Sequence, residues 1–403
     1  MIEEADKAQG NSQKMRSLLL IDTELTSRSP SMKGILESLP LIKENGWEIK
    51  GWAWNYTPDD PAISVTKLWK PPLPASLQGL YFSCVCNWKA FWNFVIRRKP
   101  RPDIILTTGG LCFICDITFY HFYNPYWFRI QWHLGIKTLE DFAKLMLTLT
   151  GCWMDWFQLR FGRWRKAVAV GKALQDMLQK LVPRRCVELL PNSFIADKFS
   201  PALRTQYRDA ARQELGFDDA HHVFAFVCQG HFRRKGLDLA LESIHKLRER
   251  GYDKAILMII GGNGATVKKL WKRIHSKYGE INWVKTTGFV NQPAKYFSAA
   301  DAFLFPSHYE AFSLVEIEAA ALGIPLILTP HHGSEMILKD GKNGWLVDFD
   351  PDKIANTLER GIKEGFPSMP GYTGEALTKD QYARQLLGLI EATWREKQAG
   401  SKA

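Results

Sequence analysis

The stretch DAFLFPSHYEAFSLVEIEAAALGIPLILTPHHGSEMILKDGKNGWLV, residues 301–347, decides the fold class. An apolar run at 302–305 stops at Pro306 and Ser307, and a polar loop follows. A helical pattern over 313–322 then ends at Gly323, ahead of a second apolar run at 325–328. The pattern predicts strand, loop, helix, strand. In such a unit the loop and the first helical turn lie at the carboxyl end of a sheet, where free backbone N–H groups and the helix dipole favour an anion. Two carboxylates frame this turn. Glu310 stands in the loop, and Glu318 stands inside the helix between Val315 and Leu322 on one face. An ionised carboxylate among apolar neighbours is costly to bury without a partner, and a diol donating two hydrogen bonds would satisfy it. Glu316 reads as an ordinary acid favoured near a helix start.

The same alternation of short apolar runs and helices extends outward in both directions. Towards the N-terminus, residues 15–22 (MRSLLLID) read as a first buried strand, followed by a turn at 23–34 with a single glycine, a helix over 35–45 and a strand over 47–54. Residues 58–74 are turn-rich and expected to be irregular. A helical pattern over 77–98 carries Trp88, Phe91, Trp92 and Val95 and ends in the basic run RRKPR. Strands follow at 103–107 and 116–121, the latter ending on His121, and then the aromatic segment FYNPYWFRIQWH at 122–133. That segment suits either the lining of a ligand cleft or a membrane interface. A long helix over 139–161, a strand at 167–170, a helix over 171–181 and a strand at 187–190 close this half at Pro191 and Asn192.

In the second half a strand at 223–228 leads into QGHFRRKG, residues 229–236, and a helix over 237–248. Arg234 and Lys235 therefore sit beside a helix start that already favours anions, a sensible cradle for a pyrophosphate. A strand at 254–260 with the turn GGNG lacks both the dinucleotide fingerprint and a Walker lysine. Another helix over 267–278 and a strand at 284–290 precede the opening stretch, and helices over 351–364 and 380–396 follow it. The whole pattern predicts an α/β protein with two parallel-sheet domains.

Composition narrows the function classes. The chain has 403 residues, 46% of them hydrophobic, enough for two cores of ordinary size, and no apolar window long enough to span a membrane. The polar first 17 residues predict neither a signal nor a transit peptide, and seven scattered cysteines predict reduced thiols in a cytoplasmic protein. Cys84 and Cys86 form the only close pair, without the spacing of a zinc site. The net charge of +11 implies an anionic partner. Residues 1–192 hold 25 of the basic residues against 17 acidic ones, and 11 of the 15 tryptophans. Interleaved cations and aromatics suit an anionic membrane surface. With no zinc-finger spacing, RNP-type aromatics or basic arm, nucleic acid is not expected as a partner.

The E-x7-E spacing of Glu310 and Glu318 resembles the signature of retaining glycosyltransferases of family 4. Asp301, Pro306-Ser307, Glu318-Ala319, Gly323-Ile324-Pro325, Gly333, Glu335 and Asn343-Gly344 extend the resemblance over most of the second half. It implies a GT-B fold with an acceptor-binding domain over residues 1–192, a donor-binding domain over 193–374, and a final helix at 375–403 crossing back to the first domain. It also implies transfer of a hexose, with its anomeric configuration kept, from a nucleotide diphosphate sugar (a UDP-sugar being favoured) to a glycan or glycolipid acceptor of the cell envelope, such as lipopolysaccharide core. No metal or other cofactor is expected. By the same resemblance Glu310 holds sugar hydroxyls, His121 reaches the transferred sugar, Arg234 and Lys235 bind the diphosphate, and Glu318 takes the ribose diol. The backbone of Ala311, Phe312, Ser313 and Leu314 would contact the donor, with Gly288 and Phe289 flanking the nucleobase. The single-glycine turn at 23–34 departs from the family's glycine-rich turn. The basic, aromatic first half predicts a protein held peripherally on the cytoplasmic face of a membrane. The alternatives are transfer to a soluble acceptor, or a non-catalytic basic protein that binds membrane or nucleic acid; the intact Glu310, Glu318, Arg234 and Lys235 argue against the last.

Overall fold

The computed structural model describes residues 15–26, 29, 31–57 and 63–400. The polar N-terminal residues 1–14, positions 27, 28 and 30 of the single-glycine turn, positions 58–62 of the turn-rich segment and the last three residues lie outside the described residues.

Seven strands, β1 (Arg16–Ile21), β2 (Trp47–Ala53), β3 (Ser64–Lys67), β4 (Ile104–Thr108), β5 (Ile117–Tyr120), β6 (Lys166–Ala169) and β7 (Cys186–Leu189), form one parallel sheet in the order β3-β2-β1-β4-β5-β6-β7. Six more, β8 (His222–Val227), β9 (Ala255–Ile260), β10 (Val284–Gly288), β11 (Ala302–Phe305), β12 (Leu326–Leu328) and β13 (Gly344–Leu346), form a second parallel sheet in the order β10-β9-β8-β11-β12-β13. Helices cover both faces of a parallel sheet, so its strands are buried on both sides and read as continuous apolar runs. β9 (AILMII) and β11 (AFLF) are buried at every position. In each sheet the order reverses beside the first strand, between β1 and β4 and between β8 and β11. Ligands of doubly wound folds bind in the crevice outside such a switch point.

The predicted elements recur with local differences. The helix over 35–45 is two short helices, Lys33–Glu37 and Leu39–Glu44, broken where the Ser38 hydroxyl donates to the Gly34 carbonyl (2.7 Å) and Pro40 opens the second. The helix over 77–98 is α-helical from Ala75 to Phe91 and widens into a π-helical turn from Trp92 to Ile96. The segment expected to be irregular contains β3, a mostly exposed edge strand paired with β2. The aromatic segment forms a helix, Asn124–Leu134, with Pro125 in its first turn.

The chain crosses between the sheets twice, and the short strands Ser193–Phe194 and Leu377–Thr378 pair in parallel where it does so. After the second crossing the helix Lys379–Gly400 returns to the first sheet. It buries Tyr382, Leu386 and Ile390 in the cluster that holds Leu18, Leu20, Ile104 and Leu106. Arg16 pairs with Glu391 (3.4 Å) and its guanidinium lies over the rings of Trp47 and Trp394, while Lys166 reaches Glu396 (3.1 Å) and Lys397 reaches Asp116 (3.0 Å). The last helix thus packs on the first sheet, as expected. No helix among the described residues is long and apolar enough to cross a membrane.

Candidate active site

Arg234 and Lys235 follow β8, and the loop 306–313 follows β11, so the two segments face each other across the second sheet's switch point. Gly236 makes their approach possible. It has φ +72°, and a Cβ there would lie 1.8 Å from the Pro306 carbonyl oxygen, so no other residue fits. The His308 amide (2.8 Å) and the Ser307 hydroxyl (3.1 Å) both donate to the Arg234 carbonyl. The result is a closed charge cluster. Glu310 Oε1 accepts from Arg234 Nη1 (2.8 Å) and Lys235 Nζ (3.2 Å), and Ser307 Oγ lies 3.3 Å from it. Burial works to raise the Glu310 pKa, but the charges of Lys235 and Arg234 outweigh it and hold the carboxyl at about 2. The structure therefore places the two cations on Glu310 itself. Among the described residues Arg234 commits only Nη1 to hydrogen bonds, to Glu310 and the Tyr309 carbonyl, so its other N–H groups remain for an anion.

Eight residues on, Glu318 stands in the helix Leu314–Ala321 and accepts no hydrogen bond from any described residue. Burial raises its pKa from 4.5 to about 7, with the positive charge of Lys33 acting the other way. Ser313, the residue before this helix, makes no side-chain cap, so the first-turn N–H groups keep their donors. A small space of about 10 Å3 at this helix start is lined by Leu314, Lys33, Gly34, His121 and Asn192. His121 directly follows β5, and burial lowers its pKa to about 4, so the imidazole is neutral at pH 7; its Nε2 has no hydrogen-bond partner among the described residues. Glu316 departs from expectation. It is not an ordinary helix-start acid but is fully buried and bonded to His331 Nε2 (2.9 Å). Asp301 braces the fold, taking Arg208 (2.6 Å) on one oxygen and the Val223 amide (2.7 Å) on the other.

Gly288 ends β10 with φ +67° and its carbonyl accepts from the Gly261 amide (2.9 Å); Phe289 beside it is exposed. The Gly261–Gly262 turn and Gly288 thus meet at the carboxyl end of the sheet, two strands from Arg234. Three groups of the expected residues result: Glu310 with Arg234 and Lys235; Leu314 with His121, near Glu318; and Gly288 with Phe289. Ala311 and Phe312 are engaged across the cleft. The Phe312 carbonyl accepts from Asn192 Nδ2 (2.9 Å), and a Cβ on Gly171 would lie 2.2 Å from the Ala311 carbonyl oxygen.

Tyr309 was not singled out by its sequence context. Its buried hydroxyl accepts from the Tyr123 amide (3.0 Å), and its ring meets Phe122, Tyr126 and Trp127 of the aromatic segment. That segment therefore faces the second domain's loop as well as its own sheet. Asp155, also missed, is the one charged residue between Lys144 and Arg160, and that isolation was the available signal. No group of three or more His, Cys, Asp or Glu side chains among the described residues is arranged to hold a metal ion.

The family model described as glycosyl transferases group 1 matches residues 208–376. An uncharacterized glycosyltransferase of Methanocaldococcus jannaschii is 26% identical over 49% of this chain and 51% of its own length. A D-inositol 3-phosphate glycosyltransferase of Corynebacterium jeikeium is 28% identical over 47% of each chain. The chain thus spans about half the length of these curated relatives. Among solved structures, WaaG, a glycosyltransferase involved in lipopolysaccharide biosynthesis, superposes with TM-score 0.64 at 14% identity over 86% of this chain and 90% of that one. Anabaena HepE in complex with UDP-glucose does so with TM-score 0.60 at 16% identity over 95% and 99%. These likenesses establish the GT-B fold.

Proposed function

We propose that the protein, whose residues 208–376 match the family model of glycosyl transferases group 1, transfers a hexose from a nucleotide diphosphate sugar to a hydroxyl of a cell-envelope glycan or glycolipid, with retention of configuration and without a metal. The observation that carries this reading is the convergence, at one switch point, of the Arg234–Lys235 pair, an uncapped helix start and the carboxyl of Glu318, which has no hydrogen-bond partner among the described residues. A diphosphate supplies charge for the first two, and a ribose diol supplies the donors that the third lacks. A UDP-sugar is favoured, because the HepE complex holds one on the same fold.

The chemistry follows from these positions. As the bond between the anomeric carbon and the diphosphate oxygen breaks, negative charge grows on the leaving group, where Arg234, Lys235 and the N–H groups of residues 311–314 stabilise it. Glu310 keeps both cations aimed at that point. The acceptor oxygen attacks the same face that the diphosphate leaves, and its proton passes to the departing phosphate oxygen. The neutral His121 imidazole is available to hold a sugar hydroxyl. A trapped glycosyl–enzyme adduct would overturn this same-face route. A thermal-shift titration with UDP, GDP and ADP tests the donor site; no stabilisation by any of them would remove it.

The acceptor is proposed to lie at a membrane surface. Three adjoining helices of the first domain, Ala75–Phe91, Asn124–Leu134 and Leu139–Phe161, expose Trp88, Trp132, Trp153 and Trp156. Arg97, Arg98, Lys99, Arg160 and Arg163 lie exposed on the same elements and their ends. Each cation near an anionic surface contributes about 1 kcal/mol, and the rings suit the headgroup layer. Flotation with anionic liposomes is expected at low salt and lost as salt rises; no flotation even at low salt would favour a soluble acceptor.

A further inference from the structure

A cavity of about 320 Å3 opens at the carboxyl end of β4, and His121 forms part of its wall. Leu111, Phe119, Phe122, Leu147 and Met154 make most of that wall apolar. One carboxyl enters it. Asp155, in the middle of the helix Leu139–Phe161, is 2% exposed and has no ion pair among the described residues. Its Oδ2 accepts twice from Asn124, from the backbone amide at 3.0 Å and from Nδ2 at 2.9 Å. Its Oδ1 accepts from no described residue and lies 3.6 Å from where a Cβ on Gly109 would stand.

The surrounding corner is shaped to keep this arrangement. A Cβ on Gly151 would lie 2.5 Å from Asn124 Cγ, and one on Gly110 would lie 2.5 Å from the Met154 carbonyl oxygen. Glycine at both positions lets the helix, the β4 loop and Asn124 close around the carboxyl. Burial pushes the Asp155 pKa up to about 7, against the two Asn124 bonds. A carboxyl so placed weakens the fold unless a ligand uses its free oxygen.

We propose that Asp155 is a specificity-determining residue, its Oδ1 accepting a hydrogen bond from a hydroxyl of an acceptor whose apolar part lies against the cavity wall. This rests on the glycosyltransferase reading and adds the chemical class of acceptor, a sugar ring joined to an apolar group. The phenyl and alkyl lining selects the apolar part, and the single free carboxylate oxygen selects a donor beside it. Asp155→Asn is the sharpest change. It keeps the shape, lets the amide oxygen face Asn124, and turns an NH2 donor toward the acceptor hydroxyl.

The test uses the full chain, whichever of UDP-, GDP- or ADP-sugars the wild type hydrolyses, and n-octyl β-D-glucoside as acceptor. For Asp155→Asn, kcat/KM toward the glucoside is expected to fall roughly 10- to 100-fold, chiefly through KM. Stabilisation by the nucleotide should persist, which shows an intact fold. Leu147→Trp, which adds bulk to the apolar wall and leaves Asp155 in place, is expected to raise KM for the glucoside in the same way. An unchanged KM for the glucoside in both variants overturns the proposal. So does a wild type that hydrolyses a nucleotide sugar but transfers nothing to the glucoside. A wild type that neither binds nor hydrolyses any nucleotide sugar fails differently, removing the glycosyltransferase reading and this inference with it.

Discussion

Replacing Glu318 with Gln should strengthen the fold and weaken the ligand complex at the same time. In the folded chain burial lifts the Glu318 carboxyl from 4.5 to about 7. Between those values the folded state binds more protons than the unfolded one, so Glu318 costs stability progressively as pH rises through that window. At about 1.4 kcal/mol per pH unit the full span is worth about 3 kcal/mol, and solvent at the carboxyl's open edge reduces it to about 2 kcal/mol. Glu318→Gln, which cannot ionise, should therefore match the wild type near pH 4.5 and exceed it by about 2 kcal/mol at pH 8. For a domain of this size that is an increase of roughly 4–8 °C in Tm. Nucleotide binding should move the other way. A ribose diol donating two bonds to an ionised carboxylate gains about 1.5–3 kcal/mol per bond, and the amide keeps one neutral acceptor, so affinity should fall roughly 10- to 100-fold. Because the diol favours the ionised form, the wild type should also release a proton on binding near pH 7. Calorimetry in buffers of different ionisation enthalpy reads both affinity and proton release. A variant whose stability–pH profile and nucleotide affinity both superimpose on the wild type would refute the assignment of Glu318.

Other perturbations probe the remaining parts of the site. Arg234→Ala leaves Glu310 with Lys235 as its one formal ion-pair partner; because Glu310 is held at about 2, its contribution is present above about 4.5 and lost as pH falls toward 2. Denaturation at pH 7 should therefore show a loss of about 3–5 kcal/mol that shrinks near pH 3, together with collapse of turnover; wild-type stability at pH 7 would show that the pair does not hold this loop. Gly171→Ala puts a Cβ 2.2 Å from the Ala311 carbonyl, so small-angle scattering should show the domains parted and transfer lowered by at least about 10-fold. An unchanged scattering profile would show that this contact does not set the closure. The double change Trp88→Ala and Trp156→Ala should weaken flotation with anionic liposomes while leaving its salt dependence, which comes from the cations, in place. Equal flotation would move the contact to another face.

The parallel strands were legible because burial on both faces writes them as apolar runs, of which β9 and β11 are the clearest. β3 was not, since Ser64, Val65, Thr66 and Lys67 form an edge strand whose mostly exposed residues look like a turn region. The adjacency of Arg234 and Lys235 could be read directly, but their pairing with Glu310, about 75 residues away in the chain, depends on two loops meeting at the switch point. The same limit hid the Glu316–His331 pair, where a helix-start acid gave no sign that a histidine 15 residues later would cover it. Tyr309 owes its position to the aromatic helix of the other domain, and no local pattern around it carries that information. Asp155 was hidden by its neighbours, because Trp153, Met154, Trp156 and Phe157 drew attention to an amphipathic surface rather than to the acid among them.

The donor chemistry is tested most directly by incubating wild type and Arg234→Ala with UDP-, GDP- and ADP-sugars and following release of the nucleotide diphosphate. The expected result is release from at least one donor by the wild type, stimulated by acceptor and abolished in the variant. Release from none of them, with no stabilisation by any nucleotide, would contradict the assignment of this cleft to glycosyl transfer.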